Sequence, residues 1–340
     1  MEELNAYFLK NLPIIEADLE SFIALTVPNP YTDLRSMIRY HMGWEGEGSG
    51  KAAQGKRIRP MISLLTGENF GMPTEAMIPF STAIELLHNF SLIHDDIEDH
   101  DELRRGRETV WRIWGIPQAI NTGDLMFSLA TQSIVRPNKY VSEQQLLLAV
   151  QSFQETCTHL TMGQHMDMKF ETQAIVSPEK YMQMISGKTA ALLGFCFAIG
   201  PIAAARSQQE INLYRKLGET VGLAFQIQDD YLGIWGDIQT TGKAKRSDLI
   251  SRKKSLPILC GLEKQGKFYD AWISDGPITD EMANRFTMML EAEGVRDFIG
   301  GEVKRFTDKA ANMVEQISSP EGQSAIVLKQ FIQQLMTRDH

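Results

Sequence analysis

Residues 86–106 read LLHNFSLIHDDIEDHDELRRG. Apolar side chains recur at three and four positions through the first half, the period of a helix with a buried face. Six carboxylates then fall within eight positions: Asp95, Asp96, Glu98, Asp99, Asp101 and Glu102. Arg104, Arg105 and Arg107 follow at once. Asp95 and Asp99 are four apart, so a helix puts both on one face, with Asp96 beside them. Like charges at that spacing destabilise a helix unless something neutralises them. The preceding run is apolar enough to be core, so the carboxylates mark where a buried helix reaches a wet cavity.

Two neutralisers compete. The arginines alone would make a solvated, salt-bridged surface patch. A hard divalent cation does the job better, and oxygen ligands without His or Cys suit Mg²⁺, which keeps waters and shares substrate phosphates. A short acidic motif by itself leaves both open.

A second stretch, FQIQDDYLGIWGD at 225–237, repeats the design: an apolar helix, then Asp229 and Asp230, then an opening into a loop. Two such pairs can face each other across one cavity, the geometry that a Mg²⁺ cluster holding a diphosphate needs. Basic residues gather nearby in sequence. TGKAKRSDLISRKKS (241–255) supplies Lys243, Lys253 and Lys254, of which adjacency lets only one of the last two point inward. GKRIRP (55–60) supplies Lys56, Arg57 and Arg59 after a glycine that lets backbone approach an anion. These residues are read most economically as two diphosphate sites, one reached through metal and one bound directly by Lys and Arg.

The rest of the chain is consistent with a soluble helical protein. Helical periodicity continues in YMQMISGKTAALLGFCFAIGPIAAA (181–205) and LYRKLGETVGLAFQIQDDYLGIW (213–235), while strand alternation and tight Asn-Gly turns are missing. Breaks are predicted at the glycine-rich 43–57, at 136–139, at Ser177-Pro178, at 235–255 and at 274–282. No repeat or shift in composition marks a boundary, so one all-α domain, 1–340, is expected. The formal net charge is -9 with pI near 5.4, which argues against nonspecific nucleic-acid binding. Anionic substrates remain open, since metal ions invert a local field. Cys157, Cys196 and Cys260 form no C-x-x-C pair and read as buried free thiols in a reducing compartment. The N-terminal MEELNAYFLKNLPIIEADLESF has no basic region of a signal peptide, and no uninterrupted apolar run suggests a membrane span. A cytoplasmic location is expected.

In chain order, GKRIRP, LLHNFSLIHDDIEDHDELRRG, GQHMD (163–167), KTAALLG (188–194), FQIQDD and TGK resemble the landmarks of the trans-isoprenyl diphosphate synthases, the polyprenyl synthetase family, and among them the geranylgeranyl type. They run from about residue 55 to 255; the C-terminal quarter carries no usable motif. The resemblance implies an all-α single bundle around a deep central cavity (the isoprenoid synthase type I fold), assembled as a homodimer. It implies condensation of isopentenyl diphosphate with an allylic diphosphate, whether dimethylallyl, geranyl or farnesyl. Asp95, Asp96, Asp99, Asp229 and Asp230 would serve three Mg²⁺ ions. Arg104, Lys188 and Lys243 would grip the allylic diphosphate; Lys56, Arg59, His88 and Arg105 would bind isopentenyl diphosphate. Gln164, Asp167, Thr189, Gln226 and Lys253 would complete the wall around the reacting centre. His88, Gln164 and Gln226 also read as ordinary packing residues of apolar helices.

One position departs from the pattern. The family's second motif ends in a third aspartate, and here Gly233 stands in that place. Asp237 lies four further on, beyond Gly236, where the helix is expected to end. Weaker binding of a third metal follows. A class I terpene cyclase would lack GKRIRP, and a noncatalytic prenyl-binding subunit would lack an aspartate motif; both are the competing classes.

Chain length is a steric matter. Each prenyl unit buries apolar surface worth roughly 3 kcal/mol, at about 0.8 per CH₂, so affinity never stops growth and a floor must. Phe90, five before Asp95, is the large residue placed to block the pocket; Ser91 is small, and Leu87 and Ile84 lie deeper. In the family that pattern resembles the C20 type, with C15 and C25 as alternatives.

Overall fold

The computed structural model of the 340-residue chain describes residues 2–173, 175–236, 246–273, 276–317 and 323–337. Helices dominate: α1 (Glu2–Thr26), α2 (Thr32–His41), α3 (Lys51–Gln54), α4 (Ile58–Asn69) and α5 (Thr74–Glu98) come first. A hairpin of β1 (Leu103–Arg104) and β2 (Arg107–Glu108) leads to α6 (Val110–Trp114), α7 (Ile116–Ile134), α8 (Glu143–Glu171) and α9 (Pro178–Ile185). A π-helical turn (Ser186–Ala190) joins α9 to α10 (Ala191–Ala203), and α11 (Gln208–Trp235) follows. The remainder is α12 (Ser247–Ile250), α13 (Leu256–Glu263), α14 (Lys267–Trp272), α15 (Asp280–Ala292), α16 (Val295–Gln316) and α17 (Gln323–Thr337). The all-α expectation holds, with one local exception. The Arg105-Gly106 turn has positive φ at both residues (54° and 75°), the backbone of a two-residue hairpin turn, and pairs Arg104 with Arg107.

The backbone divides into two compact units: Met1–Phe153, Cys196–Asn212 and Ser319–Leu328 form one; Gln154–Phe195, Leu213–Ser318 and Lys329–His340 form the other.

In the first unit α5 is the core helix, packed on α4 and α7. Every residue from Ala76 to Leu87 is buried, as expected of a helix apolar on all sides. Full burial of Phe80, Ile84, Leu86 and Leu87 contributes roughly 1.5–3 kcal/mol each. After Leu87 burial narrows to the stripe Asn89, Ile93 and Asp96, so the helix leaves the core over its last three turns. Asp95 and Asp99 lie off that stripe. Ser133 Oγ donates to the carbonyl of Pro79 at 2.7 Å, and Thr66 Oγ1 to that of Cys196 at 3.3 Å.

In the second unit α8 meets the π turn backbone to backbone. A Cβ on Gly187 would stand 2.6 Å from the His159 carbonyl and 3.0 Å from Gly163 Cα, so the approach requires glycine. Two of the predicted breaks hold helix caps: Ser177 Oγ accepts from Lys180 N, and Thr279 Oγ1 from Met282 N. The three cysteines are buried and free. Among the described residues, two helical stretches, Thr74–Glu98 and Pro178–Ala203, are long and apolar enough to cross a membrane by length and composition alone. Within them 78% and 72% of the apolar window is buried inside the protein, as in core helices.

Candidate active site

At the open end of α5, Asp95 and Asp96 have opposite surroundings. Asp96 is 1% exposed, and its Oδ1 accepts from Arg104 Nε at 2.5 Å. Burial pushes its carboxyl up to about 6 despite Arg104. As placed, Asp96 is paired through Oδ1 with an arginine of the hairpin, while its buried Oδ2 has no hydrogen-bond partner among the described residues. Arg104 spends only its Nε on that contact, and its side chain is partly exposed. Asp95 and Asp99 share the more open face.

Beside them, Arg59 Nη1 lies 3.2 Å from His88 Nε2. Burial, then Arg59 itself, holds His88 well below its ordinary value, so the ring is neutral and accepts from the guanidinium. Arg59 Nε is buried without a partner among the described residues, a donor suited to an anion or a water. Arg57, by contrast, is structural. Its guanidinium donates to Glu16, Glu85 and the Met42 carbonyl, and its side chain is fully buried. Lys56, immediately before Arg57, is exposed, and Arg105 Nη1 donates to the Ala53 carbonyl at 2.7 Å. Phe90 packs on Phe127 of α7 and on His94, with centroids 5.1 and 4.8 Å apart. Leu87 is fully buried, and Ser91 Oγ donates to the His88 carbonyl.

The second unit carries its own cluster. Thr189 Oγ1 donates to Gln226 Oε1 at 3.0 Å, and Gln226 Nε2 donates to Asp230 Oδ1 at 3.1 Å. Asp230 Oδ2 accepts from the Tyr181 hydroxyl and from Leu256 N at 3.1 Å. Asp230 is 1% exposed, with both oxygens engaged; burial pushes it up to about 6. Asp229 is the more exposed member of the pair. Lys188, on the π turn, pairs with Asp167 at 2.6 Å. Gln164 lies one turn before Asp167 on α8, half-buried.

The two adjacent lysines separate cleanly. Lys254 Nζ donates to the carbonyls of Phe170, Glu171 and Gln173 at the end of α8, a cation on a helix C-terminus. Lys253 faces carboxylates: partial desolvation lowers its ammonium, but Asp230, Asp248, Asp229 and Asp167 raise it further. Asp248 is a residue that sequence reasoning missed. A Cβ on Gly233 would lie 2.5–2.8 Å from the Asp248 carboxylate, so Asp248 occupies the space of the absent third aspartate. The signal was its place in SDLISRKK, a loop scanned only for cations. Lys243 and Asp237 lie outside the described residues.

The donor set is all oxygen. Among the described residues no three His, Cys, Asp or Glu side chains converge to hold a metal on their own. Carboxylate oxygens suit Mg²⁺, which takes one or two of them and completes its shell with water and substrate phosphate.

A solved geranylgeranyl pyrophosphate synthetase from Pyrococcus horikoshii shares this all-α fold, with a TM-score of 0.89 and 30% identity over 99% of each chain. The polyprenyl synthetase family model matches residues 50–286. A (2E,6E)-farnesyl diphosphate synthase of Mycobacterium tuberculosis is 35% identical over 302 residues, 86% of this chain and 83% of its own. A geranylgeranyl diphosphate synthase of the same species is 35% identical over 275 residues, 78% of each. The chain belongs to the polyprenyl synthetase family, the trans-isoprenyl diphosphate synthases.

Proposed function

We propose that this enzyme condenses isopentenyl diphosphate head to tail with an allylic diphosphate to give a short all-trans prenyl diphosphate, C20 being the favoured product. One observation carries the assignment of roles: Asp95 and Asp99 lie on the more exposed face of α5 while Asp96 is buried against Arg104. Asp95, Asp99 and Asp229 are then the residues that would hold Mg²⁺. When bound, the ions would neutralise diphosphate charge and assist its departure from the allylic carbon. Arg104, Lys188 and Lys243 would add positive charge to the same group, and Lys253, held cationic by its carboxylate neighbours, would stand in the wall beside it. Thr189 and Gln226, hydrogen-bonded to each other, would offer oxygens to developing positive charge without being bases. Lys56, Arg59, His88 and Arg105 receive isopentenyl diphosphate. His88, neutral, leaves the positive charge there to lysine and arginine. Gln164 belongs to the wall, and Phe90, with Ser91 and Leu87, sets product length.

Three Mg²⁺ ions, a homodimer and one functional domain over 1–340 belong to the same proposal. So does a cytoplasmic location, which the buried free thiols support. Light scattering on the purified protein tests the dimer.

The assay incubates protein, Mg²⁺ and labelled isopentenyl diphosphate with dimethylallyl, geranyl or farnesyl diphosphate, and resolves chain lengths. A C20 product is expected. A C15 or C25 product would keep the reaction and overturn the length assignment. No incorporation by folded protein would sink the reaction itself.

A further inference from the structure

The arginine of the hairpin that no role above has absorbed is Arg107. It is 9% exposed although it sits beside a surface turn. Its guanidinium donates to three backbone carbonyls: Tyr40 at 2.7 Å, Glu45 at 2.7 Å and Glu47 at 2.9 Å. Its Cζ lies 3.9 Å above the Tyr40 ring, and the Tyr40 hydroxyl donates to the Glu108 carbonyl of β2. Each of its three nitrogens donates to the glycine-rich loop between α2 and α3 or to the last turn of α2. The loop is shaped to receive it. Gly46 and Gly48 have φ of 84° and 71°, and a Cβ on Gly46 would meet Tyr40 at 2.7 Å and the Arg107 Nη2 at 3.0 Å. At the far end of the loop Arg105 repeats the contact, donating to Ala53 and packing against Gly55, where a Cβ would stand 2.7 Å from its guanidinium.

The hairpin therefore has two sides. Arg104 faces Asp96 at the end of α5, and its strand partner Arg107 clamps the loop that runs into Lys56 and Arg59. We propose that Arg107 is a positioning residue for isopentenyl diphosphate: it latches the 43–55 loop and so presets the segment bearing Lys56, without touching substrate. This rests on the assignment of Lys56, Arg59 and His88 to that substrate. The physical basis is preorganisation. A glycine-rich loop loses more backbone freedom on ordering than other sequences, and a planar fork that satisfies three carbonyls removes that loss before substrate arrives.

The test uses Arg107→Met and Arg107→Lys in the full chain, with hydrogen exchange and steady-state kinetics. Amides of Ser49 and Gly50, bonded within the loop to Gly46 and Gly43, are expected to exchange at least tenfold faster in Arg107→Met. KM for isopentenyl diphosphate is expected to rise about tenfold or more, KM for the allylic substrate less than threefold, and kcat to change far less than the first KM. Lysine keeps the charge but not the fork, and is expected to recover less than half of the loss. Gly46→Ala, which crowds the latch while leaving Arg107 intact, should reproduce the split and serves where Arg107→Met does not fold. Unchanged loop exchange would refute the latch, and equal rises in both KM values would refute the positioning role. Lys56→Ala with an unaltered KM for isopentenyl diphosphate would instead overturn the assignment beneath it.

Discussion

Asp95 and Asp96 are adjacent and identical in type, and a rotation of 100° about α5 separates a half-buried carboxylate from a buried one. The same contrast recurs at Asp229 and Asp230. Removing charge at an open position should therefore cost much more catalysis. Asp95→Asn and Asp99→Asn are expected to lower kcat roughly a thousandfold, the several kcal/mol that a Lewis-acid contact supplies. Asp96→Asn, which disturbs Arg104 only, should cost at least tenfold less; equal losses in a Mg²⁺ titration of all three variants would overturn the division. Gly233 yields a second, counter-intuitive expectation. Gly233→Asp restores the family's D-D-x-x-D pattern yet drives a carboxylate into that of Asp248, which is 6% exposed. A loss of roughly 2–3 kcal/mol is expected in denaturant unfolding. Gly233→Asp with Asp248→Ala should regain at least half of it, and a single variant as stable as the wild type would show that Asp248 does not fill the gap. Identity and spacing made all five aspartates legible in the sequence. Their orientation was not, because it depends on which stripe of each helix packs. Likewise Lys253 and Lys254 could not be told apart until the end of α8 was located beside Lys254.

The helices themselves were legible because burial and period agree along them, and the breaks predicted at Ser177-Pro178 and 274–282 hold the caps Ser177 and Thr279. Two elements were not. The hairpin has strands of two residues, too short for alternation to register, and its turn is Arg-Gly in place of the usual Asn-Gly. The π turn at Ser186–Ala190 has no propensity signature; the close approach of Gly187 to α8 reveals it. Such turns gather at functional positions, and this one carries Lys188 and Thr189. At the scale of α5, the change from all-round burial to a stripe after Leu87 puts Phe90 at the mouth of the buried part. Its ring is braced by Phe127 and cannot swing aside without losing that contact. Phe90→Ala is expected to lengthen the main product by at least one C5 unit, and Phe127→Ala, which removes the brace, to broaden the product distribution. Chromatography of the prenyl alcohols after dephosphorylation reads both. An unaltered product from Phe90→Ala would place the floor elsewhere.

For the whole molecule, the sequence shows no change of composition where the two compact units exchange chain, because each is built from the same amphipathic helices. What the units share energetically is a buried, proton-hungry carboxylate apiece. Asp96 and Asp230 are each held near 6 by burial, against 3.8 for a free side chain. The raised value means that the folded state binds the proton more tightly than the unfolded chain does. The stabilisation that this linkage contributes is complete below about 3.8 and is lost as pH rises through 6. Between pH 4.5 and 7.5 each group should withdraw roughly 2 kcal/mol from the metal-free fold. Asparagine does not titrate, so the wild type should lose about that much relative to Asp96→Asn or Asp230→Asn over the same range. The difference in slope isolates the linkage even where the amide loses a hydrogen bond. Denaturant unfolding at four or five pH values measures it. Cations bound at Asp95, Asp99 and Asp229 would favour the charged forms of their neighbours and oppose the loss. Mg²⁺ with inorganic pyrophosphate should therefore flatten the wild-type slope and leave those of the asparagine variants nearly unchanged. Parallel slopes for wild type and variants, with and without Mg²⁺, would mean that the charges of Asp96 and Asp230 are already compensated in the metal-free fold.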